Sequence, residues 1–138
     1  MQPAVHRPRA PGMARGRRGQ SLVELAVAFP LLLLLVAGAL DLAHAYSLAG
    51  ILANAAREGA RHGASHATDD DIKTRVVQEA AGAPLTLDPS DVTITRDPDD
   101  NAGSSITVEV TYDVALLLSQ ALGLPQPTIR RHATMVIF

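Results

Sequence analysis

The sequence predicts an α+β protein with a single N-terminal transmembrane helix, and three observations lead to this class. An almost uncharged apolar run fills residues 22–40. Residues 41–62 keep apolar positions spaced by three and four, which is the period of a helix. Residues 92–95 and 106–114 alternate with a period of two, which is typical of strands. We therefore expect a long helix that leaves the membrane and continues as an amphipathic helix, then a short helix and a small antiparallel sheet.

The first 19 residues form a basic leader that contains five arginines and no acidic residue: Arg7, Arg9, Arg15, Arg17 and Arg18. Residues 20–138 hold the other seven basic residues against all 14 acidic ones, a net charge of −7. A basic patch confined to a short leader before an apolar run indicates membrane topology, so we expect no nucleic-acid partner. No Lys or Arg follows until Arg57, which predicts a cytoplasmic N-terminus and an external C-terminal domain. A translation start at Met13 would leave a shorter leader that is still basic.

The apolar run of residues 22–40 has the length of a membrane span, because as a helix it rises about 28 Å against a hydrocarbon core of about 30 Å. A cleaved secretory signal is the alternative, but the run is long for one and its nearest cleavage-like site lies inside the continuing helical pattern. Glu24 is the only charge in the run, and an ionisable side chain in lipid indicates a functional site. Pro30 lacks the N–H that would bond to Ala26, which predicts a kink.

Beyond the membrane, the helical pattern continues to about His62 with a face of mostly small residues: Leu42, Tyr46, Ala49, Ala53, Ala56 and Ala60. Small residues let helices approach closely. This face is expected to pack on the chain's own globular part, on related helices in an assembly, or on both. Glu58 and Arg61 are spaced for an ion pair. Gly59 indicates either a close approach or the helix end.

The outer domain begins with a helix start at Thr68, followed by three aspartates that favour a helix N-terminus. Gly82 and Pro84 end this helix. A polar turn at residues 97–103 should join the two alternating segments into a hairpin, and residues 133–138 predict a third strand. Residues 116–124 predict a short helix or a loop that lies against the membrane. The expected domains are 1–19 (leader), 20–63 (transmembrane and extended helix) and 64–138 (small extracytoplasmic domain).

Little in the sequence indicates catalysis or a cofactor. The chain has no cysteine, which excludes disulfides, thiolate metal sites and cysteine nucleophiles. His62 and His66 are spaced like metal ligands on a helix, but no third ligand is identifiable. Residues 97–103 resemble half of a calcium loop that lacks the required Gly and Glu, so a polar turn is favoured. No nucleophile–base pair, phosphate loop or dinucleotide fingerprint is present, and we expect a protein that is not an enzyme.

The residues around the leader carry a specific resemblance. Gly19 is followed five residues later by Glu24 at the start of an apolar helix, which resembles the class III signal of a type IV prepilin. The longer string of residues 18–25, with Pro30 and Asp41, resembles the TadE-like proteins of the Tad (Flp) pilus system. The resemblance is dense over residues 18–63 and includes a second motif: Asn54, Ala56, Arg57, Glu58, Gly59 and Arg61.

The resemblance implies a pilin-like pseudopilin or minor pilin of a tight-adherence pilus in the cytoplasmic membrane. A prepilin peptidase would cut after Gly19 and expose the α-amine of Gln20. In such proteins the acid at the position of Glu24 is thought to meet the N-terminal amine of a neighbouring subunit. The implied partners are the peptidase, other pilins or pseudopilins and the Tad assembly machinery, and incorporation into a surface pilus stays open. The alternative is an unprocessed single-pass envelope protein with a small binding or adhesive domain.

Overall fold

A computed structural model describes residues 16–138, with side chains from Gly19 onward. The leader arginines Arg7, Arg9 and Arg15, and the side chains of Arg17 and Arg18, lie outside the described residues. Three helices, three strands and one 3₁₀ turn follow in the order α1 Gly16–Gly63, α2 Asp69–Ala80, the turn Pro89–Asp91, β1 Val92–Asp97, β2 Ser105–Asp113, α3 Leu117–Leu122 and β3 Thr128–Val136. The expected α+β class is confirmed.

The described chain divides into two compact units, and the boundary in the sequence lies between Leu35 and Val36. The described residues of the first unit are helical, and the large apolar side chains from Leu22 to Leu35 are 50% to 70% exposed. Within residues 16–138, α1 is the one helix long and apolar enough to cross a membrane. Pro30 lies inside this helix, which continues through it, and the expected kink stays a prediction.

The second unit is built on an antiparallel sheet with the strand order β1-β2-β3. The central strand β2 places Ile106, Val108 and Val110 on one fully buried face. The outer part of α1 and the apolar face of α2 belong to the same buried cluster as this face. The two helices therefore pack against the apolar face of the sheet, and a sheet of only three strands needs such packing to be stable.

Helix α2 forms where the sequence places it. The Thr68 hydroxyl accepts a hydrogen bond from the backbone N–H of Asp71 at 3.3 Å and caps the helix. The side chains of Ile72, Val76 and Ala80 are buried and form the face that meets the core. The helix ends at Ala80, and Gly82 then adopts a positive φ of 91°, which a side chain disfavours.

Two expectations need correction. The third strand begins at Thr128 rather than at residue 133, and it pairs with all nine residues of β2, from Thr128↔Asp113 to Val136↔Ser105. The basic residues 130–132 interrupt the apolar alternation that predicts a strand. They are tolerated because β3 is an edge strand, where a polar residue can occupy even a core-facing position. At its membrane end the predicted face of α1 does not pack on the chain's own domain, since Leu42 is 73% and Tyr46 is 82% exposed, and its packing on related helices stays a prediction. The apolar residues of its buried face are Leu48, Ala49, Leu52, Ala55, Ala56 and Ala60, and Gly59 and Gly63 are buried on the same helix.

Candidate functional site

The predicted cleavage and assembly residues lie together in the first turns of α1. The Gln20 side-chain amide donates a hydrogen bond to Glu24 Oε1 at 3.1 Å, across one helical turn. Both side chains are exposed. A Cβ added at Gly19 would meet nothing within 4 Å, so packing within the chain does not require glycine there. Within the described residues, Glu24 therefore has the Gln20 amide as a hydrogen-bond partner, and packing does not explain the glycine at position 19.

Asp41 has a role that the sequence did not reveal. Its side chain is buried, and its two carboxylate oxygens accept hydrogen bonds from the backbone N–H groups of Leu117 at 2.8 Å and Leu118 at 2.9 Å. These N–H groups open α3, whose own N-cap residue, Leu116, provides no side-chain cap. Asp41 therefore caps α3 from a distant part of the chain and fastens it to α1. The sequence singled out Asp41 only through the resemblance, which does not indicate this capping role.

Glu58 joins the two helices of the outer domain. Its carboxylate accepts hydrogen bonds from Arg61 (Nη2 at 2.7 Å, Nε at 2.9 Å) and from Arg75 of α2 (Nη2 at 2.8 Å, Nε at 3.0 Å). The bonds from Arg61, and then those from Arg75, lower the pKa of Glu58 to about 2. The predicted pair with Arg61 is confirmed. The partner Arg75 was missed, because its approach depends on how α2 packs against α1.

The glycines near the end of α1 mark a close approach between helix and core. A Cβ added at Gly59 would collide with Val76 and would lie 3.3 Å from Val108, and one at Gly63 would collide with Ile106 and lie 2.9 Å from Ile72. Of the two expectations for Gly59, the close approach is confirmed and the helix end lies at Gly63.

The second motif divides between a buried and an exposed face of α1. Ala56 and Gly59 are buried against the core. Asn54, Arg57 and Arg61 are exposed, and Arg57 donates a hydrogen bond to Asn54 Oδ1 at 3.1 Å. One side of the motif therefore packs in the core of the domain, while the other side exposes the two arginines to solvent.

The polar turn between β1 and β2 satisfies its own acidic group. Asp99 accepts hydrogen bonds from the Ser104 hydroxyl at 2.6 Å and the backbone N–H of Asn101 at 3.0 Å, and these bonds lower its pKa. The predicted hairpin turn is confirmed. His62 is half-buried and His66 is exposed. Among residues 16–138, no group of three or more His, Cys, Asp or Glu side chains is placed to hold a metal ion.

The match to a known protein family lies within helix α1. Residues 19–61 match the family model described as TadE-like protein. These residues are similar to TadE-like proteins, and we name them the TadE-like segment. The expected resemblance is confirmed over this range, which is less than a third of the chain. Neither a curated protein nor a solved structure matches the chain.

The TadE-like segment begins at Gly19 and ends at Arg61, two residues before α1 ends. It includes Glu24, the α3 cap Asp41 and the interhelical carboxylate of Glu58. The sheet and α3 lie outside the matched range, but Asp41 and Glu58 fasten α3 and α2 to the segment.

Proposed function

We propose that this chain is a pseudopilin or minor pilin in the assembly of a Tad (Flp) pilus, with no catalysis of its own. The match of residues 19–61 to the TadE-like model carries the proposal. The exposed apolar surface of α1 supports it, because a helix without a protein cover over this length suits lipid or related helices. The basic leader supports a single-pass placement in the cytoplasmic membrane with the folded domain outside.

Processing by a prepilin peptidase after Gly19 is part of the proposal. The bond between Gly19 and Gln20 lies in the first turns of α1, so a protease that binds extended backbone would first unwind this end. Gly19 favours unwinding, since a glycine destabilises a helix interior by about 1 kcal/mol relative to alanine. A helix end also frays readily, because its first N–H groups have no partner within the helix.

After cleavage, the α-amine of Gln20 would lie one helical turn from Glu24. In the uncut chain the side-chain amide of Gln20 donates a hydrogen bond to Glu24. A charged carboxylate near the hydrocarbon core is costly unless it is paired. The N-terminal amine of a neighbouring subunit would supply that pair, and the two charges would compensate each other during assembly.

Substitution of Glu24 tests this role. Glu24→Ala and Glu24→Gln should insert into the membrane and be processed like the wild type, because the apolar run and the leader are intact. Both should weaken or abolish pilus formation. Glu79→Ala, which removes an exposed acid from α2, is the matched control and should leave piliation unchanged. Normal piliation in both Glu24 variants would contradict the pairing role.

A further inference from the structure

We propose that Leu117, Leu122 and Leu124, named here the α3 patch, insert into the lipid headgroup region on the side of the membrane that holds the folded domain. The outer domain would then touch the membrane at a second place besides the span. The inference rests on the membrane span of α1 and is independent of processing and of pilus assembly.

The first support is exposure without charge. The three leucines of the α3 patch are 55% to 60% exposed, and among residues 64–138 the other large apolar side chains that are exposed belong to Val136 and Phe138. Residues 114–129 contain no Asp, Glu, Lys, Arg or His. An apolar patch within an uncharged segment is unfavourable in water and favourable at a lipid surface.

The second support is position along α1. Asp41 binds the first turn of α3, and a Cβ added at Gly38 would lie 3.6 Å from Leu118 Cδ1. Gly38 belongs to the apolar run of residues 22–40, and Asp41 follows its last residue. The first turn of α3 is therefore held within about one helical turn, roughly 5 Å, of the end of the span, and the rest of this six-residue helix continues from there. Interfacial helices bury their apolar face about 5–10 Å into this boundary, so lipid covers the α3 patch.

The third support is that the backbone of α3 needs little water. Asp41 satisfies the N–H groups of Leu117 and Leu118, and these two bonds in turn satisfy the buried carboxylate. At the other end, Gly123 adopts the left-handed conformation, and the N–H of Leu124 bonds to the carbonyl of Ser119 at 2.8 Å. Polar backbone groups near lipid must be satisfied within the protein, and these bonds satisfy the first two N–H groups and the Ser119 carbonyl of this short helix.

The absence of cysteine from the chain makes a direct depth measurement possible. Single cysteines replace Leu122 and Leu124 in the full chain and carry a nitroxide spin label. The protein is reconstituted at high dilution in vesicles of phosphatidylethanolamine and phosphatidylglycerol. Collision of the label with oxygen, which concentrates in lipid, is compared with collision with a water-soluble nickel chelate.

Two further labels provide the references. Leu33→Cys lies within the apolar run. Phe138→Cys replaces a side chain that is 79% exposed at the far end of the domain, where the N–H of Phe138 bonds to the carbonyl of Ala64 at 3.2 Å. Ala64 follows the end of α1, about 33 Å along the helix axis from Asp41. The Phe138 label should therefore report water.

The expected result is loss of nickel collisions and gain of oxygen collisions at positions 122 and 124, relative to position 138. Nickel access equal to that at position 138 would overturn the proposal. Low access to both reagents would also overturn it, because protein rather than lipid would then cover the patch. If the Leu33 label also reports water, the result contradicts the membrane span of α1 itself. If the Leu33 label reports lipid, exposure of positions 122 and 124 to water contradicts this proposal alone. Because the chain has no Trp, Leu122→Trp and Phe138→Trp provide a second readout through quenching by brominated lipids.

Discussion

Replacement of Asp41 should detach α3 from the rest of the domain. Asp41 is 6% exposed, and its carboxylate accepts hydrogen bonds from two backbone N–H groups at 2.8 and 2.9 Å. A hydrogen bond to a charged group contributes about 1.5–3 kcal/mol, so Asp41→Ala should destabilise the docked α3 by about 3 kcal/mol. Asp41→Asn keeps one acceptor oxygen but turns its NH₂ group toward the second N–H. We expect about half the loss for this variant.

Native-state hydrogen exchange measures this directly, because it reports the opening of single amides. A loss of about 3 kcal/mol should speed exchange at Leu117 and Leu118 by roughly 100-fold in Asp41→Ala. Amides of the central strand β2 should change much less, since both hydrogen bonds of the carboxylate go to α3. Glu79→Ala is the control, as an exposed acid on α2. Unchanged exchange at both leucines in Asp41→Ala would refute the cap.

Two further predictions concern the packing of α1 against α2 and the sheet. Because Arg61 and Arg75 lower the pKa of Glu58 from 4.5 to about 2, this carboxylate stabilises the fold above pH 4.5, and the stabilisation is lost as the pH falls from 4.5 toward 2. Urea unfolding across this range should show that the free energy of unfolding falls more steeply for the wild type than for Glu58→Gln. At neutral pH the two should differ by about 1 kcal/mol, since both arginines are partly exposed. Parallel pH profiles of the two proteins would count against the linkage. Gly59→Ala should lower the free energy of unfolding by about 1–3 kcal/mol, because its Cβ collides with Val76. Gly50→Ala has open space around its Cβ and should instead stabilise the helix by about 1 kcal/mol, so equal thermal shifts in the two variants would contradict the packing.

Periodicity and capping predicted most of the fold. The helix start at Thr68, the buried face of α2 and the alternation of β2 depend on neighbours within a few residues, which the sequence displays directly. The length of β3 depends instead on pairing with a nine-residue partner, and the pattern of residues 128–132 carries no trace of it. Leu42 and Tyr46 show the same limit of local patterns. Both fit the helical spacing of an apolar face, but the domain packs on a different face of α1, which includes Asp41 and Leu48.

The candidate site divides in the same way. The resemblance names Gly19, Gln20 and Glu24, whose roles stay predictions, whereas the Glu58–Arg61 pair follows from one helical turn. The contacts of Asp41 with α3 and of Glu58 with Arg75 join segments far apart in the chain, so only the folded structure reveals them.

Intact-mass spectrometry of the membrane-extracted protein, from cells with and without the prepilin peptidase, tests the central claim most directly. The account predicts a peptidase-dependent chain that begins at Gln20, and the same mass would show whether the new N-terminus is methylated or cyclised. A pyroglutamate end on assembled, functional protein would remove the amine that Glu24 is proposed to meet. An uncut leader in both strains would contradict the account and would leave a membrane-anchored domain that is not processed.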